Sequence, residues 1–209
     1  MEALPEAQLS RLGDDGAAAA VLADRRVPPV QVLRELIAHE ADVPAEDVEL
    51  AFACAECGAR HGRPEIDYPS TPSGAGWFGD VLHLDGTTVA VAGSHHRLGL
   101  GLVRPGAGGP LIDQAALNPL ELAAVADHDE AARPRARARA WARKAALVRA
   151  LGHSDLQEPS GIALATTDDE PGVACVVRTA PEIGSQWRGI RVHDLDVGDG
   201  LVAAVAVLP

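Results

Sequence analysis

A helical stretch stands out in the second half of the chain. Residues 141–152 read Trp141-Ala142-Arg143-Lys144-Ala145-Ala146-Leu147-Val148-Arg149-Ala150-Leu151-Gly152. Apolar residues recur there at helical spacing, and the buried face is expected to carry Trp141, Ala145, Val148 and Leu151. Gly152 suits the C-cap, since glycine adopts the left-handed conformation without steric cost. Followed upstream, the pattern predicts one long helix from about Pro134 to Leu151.

The same region is basic on an otherwise acidic chain. The formal net charge is -12, yet no acidic residue lies between Glu130 and Asp155. The cations of that window are Arg133, Arg135, Arg137, Arg139, Arg143, Lys144 and Arg149. A local basic patch suits an anionic partner that docks at one place, whereas a solvated helix face is the alternative interpretation.

Outward from this helix, the pattern alternates between helices and short strands. Asn118-Pro119 is typical of a helix start and predicts a helix from Leu120 to about Ala126. In the first half, apolar spacing predicts a helix over Val30–Glu40. Strands are predicted at 48–52, 89–92, 98–103, 161–165, 173–178, 187–194 and 201–207, and no helix is predicted before Pro28. The chain is therefore expected to be α+β.

Composition and charge indicate which classes of protein this chain can belong to. The chain has 209 residues, 47% of them hydrophobic, which is enough for a core. Three cysteines argue against a disulfide framework and fit a reducing compartment. We expect no membrane span, because no apolar run reaches the roughly 18 residues needed. The acidic N-terminus lacks the layout of a secretion signal, and the net charge disfavours nucleic acid, so a cytoplasmic protein is expected.

Four segments occur in the order found in one enzyme family. They are His61-Gly62-Arg63-Pro64, then Ser94-His95 after a predicted strand, then the Trp141–Gly152 helix, and finally residues 187–207 with His193-Asp194-Leu195-Asp196-Val197-Gly198. Asn118-Pro119-Leu120-Glu121 also fits the usual run. In this order and spacing, residues 50–209 resemble the 4′-phosphopantetheinyl transferases of the surfactin-synthetase type.

The resemblance implies a fold and a reaction. The fold would have two pseudo-twofold-related halves, taken as 1–110 and 111–209, each with helices on a small antiparallel sheet and with coenzyme A held between them. In that family, phosphopantetheine moves from coenzyme A to a serine of a carrier protein, and Mg²⁺ neutralises the pyrophosphate. Coenzyme-binding positions carried over by the motifs, together with retained cations, are Arg25, Arg26, Arg63, Ser94, His95, Lys144 and Arg149.

The family's metal ligands are where this chain departs from the pattern. The family has an Asp and a Glu two residues apart on a strand, plus the glutamate of a Lys-Glu-Ala helix. The helix glutamate is replaced here by Ala145. The pair is best placed at Asp113 and Ala115, which keeps Asp113 as the one metal ligand; an alternative register at Gly101 and Val103 keeps neither. The resemblance thus makes Asp113, Lys144 and His95 the catalytic candidates, with an incomplete Mg²⁺ site.

Three functions remain open at this point. The first is transfer of phosphopantetheine, at a reduced rate, to an acyl or peptidyl carrier protein of secondary-metabolite biosynthesis that docks on the basic helix 133–149. The second is a repurposed, metal-independent enzyme with a small-molecule substrate, in which a histidine such as His95 acts as acid or base. The third is a non-catalytic relative that binds a carrier or another partner.

Other polar clusters have simpler explanations. Cys54 and Cys57 with His61 have metal-like spacing, but a structural zinc needs four ligands, so loop architecture is favoured. Residues 127–130, Asp-His-Asp-Glu, lie between two predicted helices, where solvated charge is the usual reason. Trp141 is interpreted as an anchor of the long helix rather than a stacking platform.

Overall fold

The chain forms two compact units, Met1–Leu98 and Gly99–Pro209. The structure is a computed structural model that describes residues 6–13, 16–24, 26–52, 63–71, 73–107, 109–152, 159–167, 170–178, 189–198 and 200–209. Each unit has its own hydrophobic core. The architecture is α+β with small antiparallel sheets, as the sequence predicts.

The first unit is a helix on an antiparallel sheet. The sheet has the order β1-β2-β6-β5, and a separate two-stranded ribbon pairs β3 with β4. The elements are β1 (Gln8–Arg11), β2 (Ala17–Leu22), α1 (Pro29–Ala41), β3 (Glu49–Ala51), β4 (Glu65–Tyr68), β5 (Phe78–Leu84) and β6 (Thr87–Gly93). The helix α1 begins with Pro29 in its first turn and ends at Asp42 in the left-handed conformation. Its apolar stripe lies against the sheet and includes Leu33, Leu36 and Ile37.

The second unit places three helices around a five-stranded sheet. The sheet has the order β7-β11-β10-β9-β8. The elements are β7 (Arg97–Val103), α2 (Pro110–Ala116), α3 (Pro119–Ala126), α4 (Arg133–Leu151), β8 (Ala163–Thr166), β9 (Val173–Arg178), β10 (Arg191–Leu195) and β11 (Val202–Leu208). Strand β11 is buried along its whole length beneath α4. The helix α4 ends at Gly152 with φ 74°, which confirms the predicted C-cap.

The closest packing in this unit joins α4 to β7. A Cβ built on Gly101 would lie 2.0 Å from the carbonyl oxygen of Ala142, and one on Gly99 would lie 2.2 Å from that of Ala146. Two backbones can approach this closely only where the strand residue lacks a side chain. The fully buried stripe of α4 is accordingly made of alanines, Ala142, Ala146 and Ala150.

This packing corrects the predicted buried face of α4. Trp141, Ala145 and Val148 are half-buried, while Leu151 and the alanine stripe are buried. Bulky apolar residues were expected on the sheet, but the glycine-bearing strand selects the smallest side chains. The described residues before Pro28 contain the strands β1 and β2 and no helix. The pseudo-twofold relation and the halves 1–110 and 111–209 stay predictions.

Two further observations concern the expected layout. The apolar residues Leu111 and Ile112 belong to the helix α2, and both side chains are exposed. Among the residues that the structure describes, no helix is long and apolar enough to cross a membrane.

Candidate functional site

Asp113 is committed to the packing of α2 on α4. Its Oδ1 accepts a hydrogen bond of 3.0 Å from the indole Nε1 of Trp141. Its Oδ2 lies 3.0 Å from Nε of Arg137, and its side chain is 7% exposed. Both carboxylate oxygens therefore already have charged or polar partners from α4. Asp113 acts in this structure as the link between the two helices, and Trp141 takes part in that link through its indole N–H.

Lys144 lies at the centre of a second network, beneath α3. Its Nζ lies 3.0 Å from Oε2 of Glu121 and donates to the carbonyl of Pro159 at 3.0 Å and to that of Ile162. Burial lowers the pKa of Lys144 below its usual value, and this effect outweighs the opposing influence of Glu121. A lysine enclosed by one carboxylate and two carbonyls is positioned to hold α4 to the chain after residue 158.

Glu121 completes that network through the start of α3. Its Oε2 accepts the backbone N–H of Asn118 at 2.7 Å, and its Oε1 accepts the N–H of Leu164 at 3.1 Å. The Asn118 side chain accepts the N–H of Leu120 in return, which completes a capping box. The Asn-Pro helix start predicted from sequence is confirmed, and its glutamate is also the buried partner of Lys144.

A third network joins α4 to β10 through two arginines and one carboxylate. Arg143 holds Asp194 in a bidentate pair, with 2.8 Å from Nε to Oδ1 and 2.7 Å from Nη2 to Oδ2. Arg139, one turn earlier on α4, approaches Oδ2 of Asp194 only to 3.4 Å from its Nε. The Arg139 side chain is 44% exposed, against 11% for Arg143. This cluster therefore carries one positive charge in excess.

A cavity of about 420 Å³ opens beside these arginines. Arg139, Arg143 and Asp194 form its polar wall, and the capping residue Glu121 also borders it. The rest of the lining is largely apolar and comes from α3, α4, β8 and β9, including Leu120, Ala124, Val125, Ala140, Leu164 and Val177. All of its lining residues belong to the second unit.

The candidate residues of the first unit lie on loops and strand ends. Ser94 and His95 follow β6, where His95 is exposed and its ring centroid lies 6.5 Å from that of His96. Arg63 donates to the carbonyl of Leu98. Arg26 binds Asp24 through its backbone and side chain, and this hydrogen bonding holds the pKa of Asp24 below its usual value. Arg25, Cys54, Cys57 and His61 lie outside the described residues.

The residues present do not fit the family's Mg²⁺ site. Gly101 and Val103 lie on a strand, as the family's carboxylate pair does, whereas Asp113 lies on a helix. The register at Gly101 and Val103 supplies no carboxylate, and the choice between the two registers stays a prediction. Within the described ranges, no three His, Cys, Asp or Glu side chains are grouped as metal ligands. Asp113, the one carboxylate retained in the other register, would have to release Arg137 to bind a cation.

Sequence reasoning missed the Arg139–Arg143–Asp194 cluster and the role of Glu121. One signal was available, because Arg135, Arg139 and Arg143 recur every four residues and so follow one face of the helix. Their carboxylate partner could not be identified from spacing, since Asp194 lies 51 residues after Arg143. Arg149, a predicted coenzyme-binding residue, is half-buried in the last turn of α4.

Comparison with known proteins gives matches among solved structures. No family model matches the chain, and no curated protein matches it in sequence. Among solved structures it is similar to the holo-ACP-synthase from Plasmodium yoelii, with a TM-score of 0.43 and 15% sequence identity. The matched region covers 55% of this chain and 94% of that chain.

Proposed function

We propose that this chain is a phosphopantetheinyl transferase-like protein that still binds an acyl or peptidyl carrier protein but no longer transfers phosphopantetheine from coenzyme A efficiently. The docking surface consists of Leu111 and Ile112 on α2 together with Arg133 and Arg137 on α4. Carrier proteins are acidic, so the arginines attract them. The surface is defined by these four residues and is called the α2–α4 surface below.

The observation that carries carrier binding is the exposure of two large apolar side chains next to cations. Leu111 is 83% exposed and Ile112 is 53% exposed. Asp113, the next residue, ties α2 to α4 through Arg137 and Trp141. Apolar side chains are therefore held in a fixed position beside the arginine-rich start of α4. A partner with an apolar ridge flanked by acidic groups matches that combination of surfaces.

The loss of efficient transfer follows from the carboxylate positions. A missing electrostatic group at a charged transition state typically costs a factor of about 10² to 10³ in rate. Ala145 replaces one such group, and Gly101 and Val103 stand at the other two positions in the register that falls on a strand. Groups that act as a unit do not multiply in effect, so the deficit is a loss of efficiency of at least this size.

Carrier binding is tested by titrating purified apo-acyl carrier protein and an apo-peptidyl carrier domain into the full chain. We expect binding that weakens as salt is raised, because the partner is steered by charge. Leu111→Asn and Arg133→Glu should each weaken it at least tenfold. The matched controls Leu9→Asn and Arg178→Glu change an exposed leucine and an exposed arginine elsewhere, and should leave it unchanged. Equal effects of variants and controls would refute the α2–α4 surface.

The state of the transferase chemistry is tested separately by calorimetric titration with coenzyme A, with and without Mg²⁺. Weak binding that Mg²⁺ does not strengthen is expected. Micromolar binding strengthened by Mg²⁺, followed by transfer to the carrier seen as a mass increase, would instead show a working transferase. That result would overturn the second half of the proposal and leave carrier docking standing.

A further inference from the structure

The cavity beside Arg139 combines an apolar interior with an incompletely satisfied cation. Its volume of about 420 Å³ falls within the range of about 300–1,000 Å³ that is typical of small-molecule sites. Leucine, valine and alanine side chains from α3, α4, β8 and β9 form most of the lining, and Leu164 is buried. An apolar cavity with a few convergent polar groups is the common form of a ligand site.

The charge balance of the wall favours an anion. Arg139 and Arg143 share the single carboxylate of Asp194, while Glu121 is neutralised by Lys144. Arg143 uses Nε and Nη2 on the two oxygens of Asp194, so this pair is complete. At 3.4 Å, the Nε of Arg139 lies beyond the usual hydrogen-bond range of about 2.7–3.2 Å. Among the described residues, the Arg139 guanidinium is therefore left with donors to offer at the cavity.

The rim adds an independent observation. Leu120 and Val177 both line the cavity and are 61% and 52% exposed, so they form an apolar part of its rim. Large exposed apolar side chains gain most when an apolar body covers them. The polar end of the cavity and its apolar rim are thus arranged for a molecule that has both characters.

We propose that this cavity binds a small amphipathic carboxylic acid, with its carboxylate on Arg139 and a short alkyl chain along α3 and β9. A carboxylate matches the fork of donors on a guanidinium, as Arg143 and Asp194 already demonstrate in the same wall. The alkyl chain covers Leu120 and Val177. This site is separate from the α2–α4 surface and needs neither a carrier protein nor coenzyme A, so it can be tested whether or not the proposed function holds.

The test uses the full chain and three probes in calorimetric or NMR titrations. Octanoate supplies both charge and alkyl chain, octanamide keeps the chain without the charge, and acetate supplies the head alone. We expect octanoate to bind at least tenfold more tightly than octanamide, and acetate to show no saturable binding. Equal affinity for octanoate and octanamide, or no octanoate binding, overturns the proposal.

Two matched pairs of variants locate the binding. Arg139→Gln should lower the affinity for octanoate at least tenfold, and it leaves Asp194 paired with Arg143. Arg135→Gln lies on the same helix but outside the cavity lining, so it should leave the affinity unchanged. Ala124→Leu fills the cavity and should abolish binding, whereas Ala123→Leu, the exposed neighbour outside the lining, should not. Unchanged melting temperatures show that the variants are folded. If the control variants weaken binding as much as the cavity variants, octanoate binds elsewhere and the assignment is wrong.

Discussion

Replacement of Gly101 by alanine tests the contact that determines how α4 lies on its sheet. The added Cβ would stand 2.0 Å from the carbonyl oxygen and 2.8 Å from the carbonyl carbon of Ala142. Both are backbone atoms of α4, so no side-chain rotation relieves the contact. Non-bonded heavy atoms usually lie about 3.5–4.0 Å apart. The helix and the strand must therefore separate by roughly 1 Å or more to accommodate the new Cβ.

The magnitude follows from the nature of this clash. Overpacking of a core typically costs about 1–3 kcal/mol, and here the strained atoms belong to two backbones rather than to adjustable side chains. Separation would also loosen the stripe of Ala142, Ala146 and Ala150 over the sheet. We therefore expect a loss of about 3 kcal/mol or more in the free energy of unfolding. For a chain of this size, that corresponds to a fall in Tm of roughly 6–12 °C.

The assay is thermal and urea unfolding followed by circular dichroism. Gly200→Ala is the matched control, because a Cβ at that position meets no atom within 4 Å in the same unit. Adding Ala142→Gly to the Gly101→Ala chain should not restore stability, since the obstructing atom is the carbonyl oxygen and not the Ala142 side chain. A Gly101→Ala protein as stable as the Gly200→Ala control would show that α4 and β7 are not in backbone contact.

Three further changes probe the buried network around Lys144. Lys144→Met should lower the free energy of unfolding by about 3 kcal/mol, because it leaves Glu121 buried with only its two backbone donors. Chemical denaturation measures this loss. An unchanged free energy of unfolding would contradict the buried ion pair between Lys144 and Glu121. Burial lowers the pKa of Lys144 in the folded state, so the unfolded chain binds more protons at pH values between that lowered pKa and about 10.4. The free energy of unfolding should therefore rise with pH in this window. Urea midpoints measured at increasing pH should show this rise in the wild type and lack it in Lys144→Met. Asn118→Ala should cost about 1–2 kcal/mol by removing the cap on α3 and the hydrogen bond to Ser160, whereas Gln114→Ala, an exposed position on α2, should cost little.

Local signals predicted the helices whose sequences contain start or stop residues. The helices α1, α3 and α4 have apolar periodicity together with a proline start, a capping box or a glycine end, and all three were found. The strand β2 was missed because its Ala17–Leu22 sequence has little intrinsic strand preference; pairing with β1 and β6 fixes it instead. The helix α2 was missed because its apolar residues face solvent and so give no buried periodicity.

The site was less predictable than the fold because its residues meet only through tertiary structure. The motif around Lys144 suggested a phosphate ligand, but the partner that the structure gives it, Glu121, lies on another helix. Likewise, the sequence places Asp194 in a closing motif without a partner, whereas its contacts with Arg139 and Arg143 form the polar wall of a cavity. Spacing along the chain identifies a helix face, but it does not identify what packs against that face.

The packing at β7 bears on what kind of change separates this chain from the transferases that it resembles. If substitution of single carboxylates were the whole difference, restoring them should restore the metal site. In the register that falls on a strand, however, one restored carboxylate would have to project from Gly101, where even a Cβ collides with α4. Val103, the other position, packs against the core of the second unit. In that register, the difference from the transferase pattern therefore extends from the ligand positions to the packing beneath them, and restoring carboxylates alone should not create a metal site.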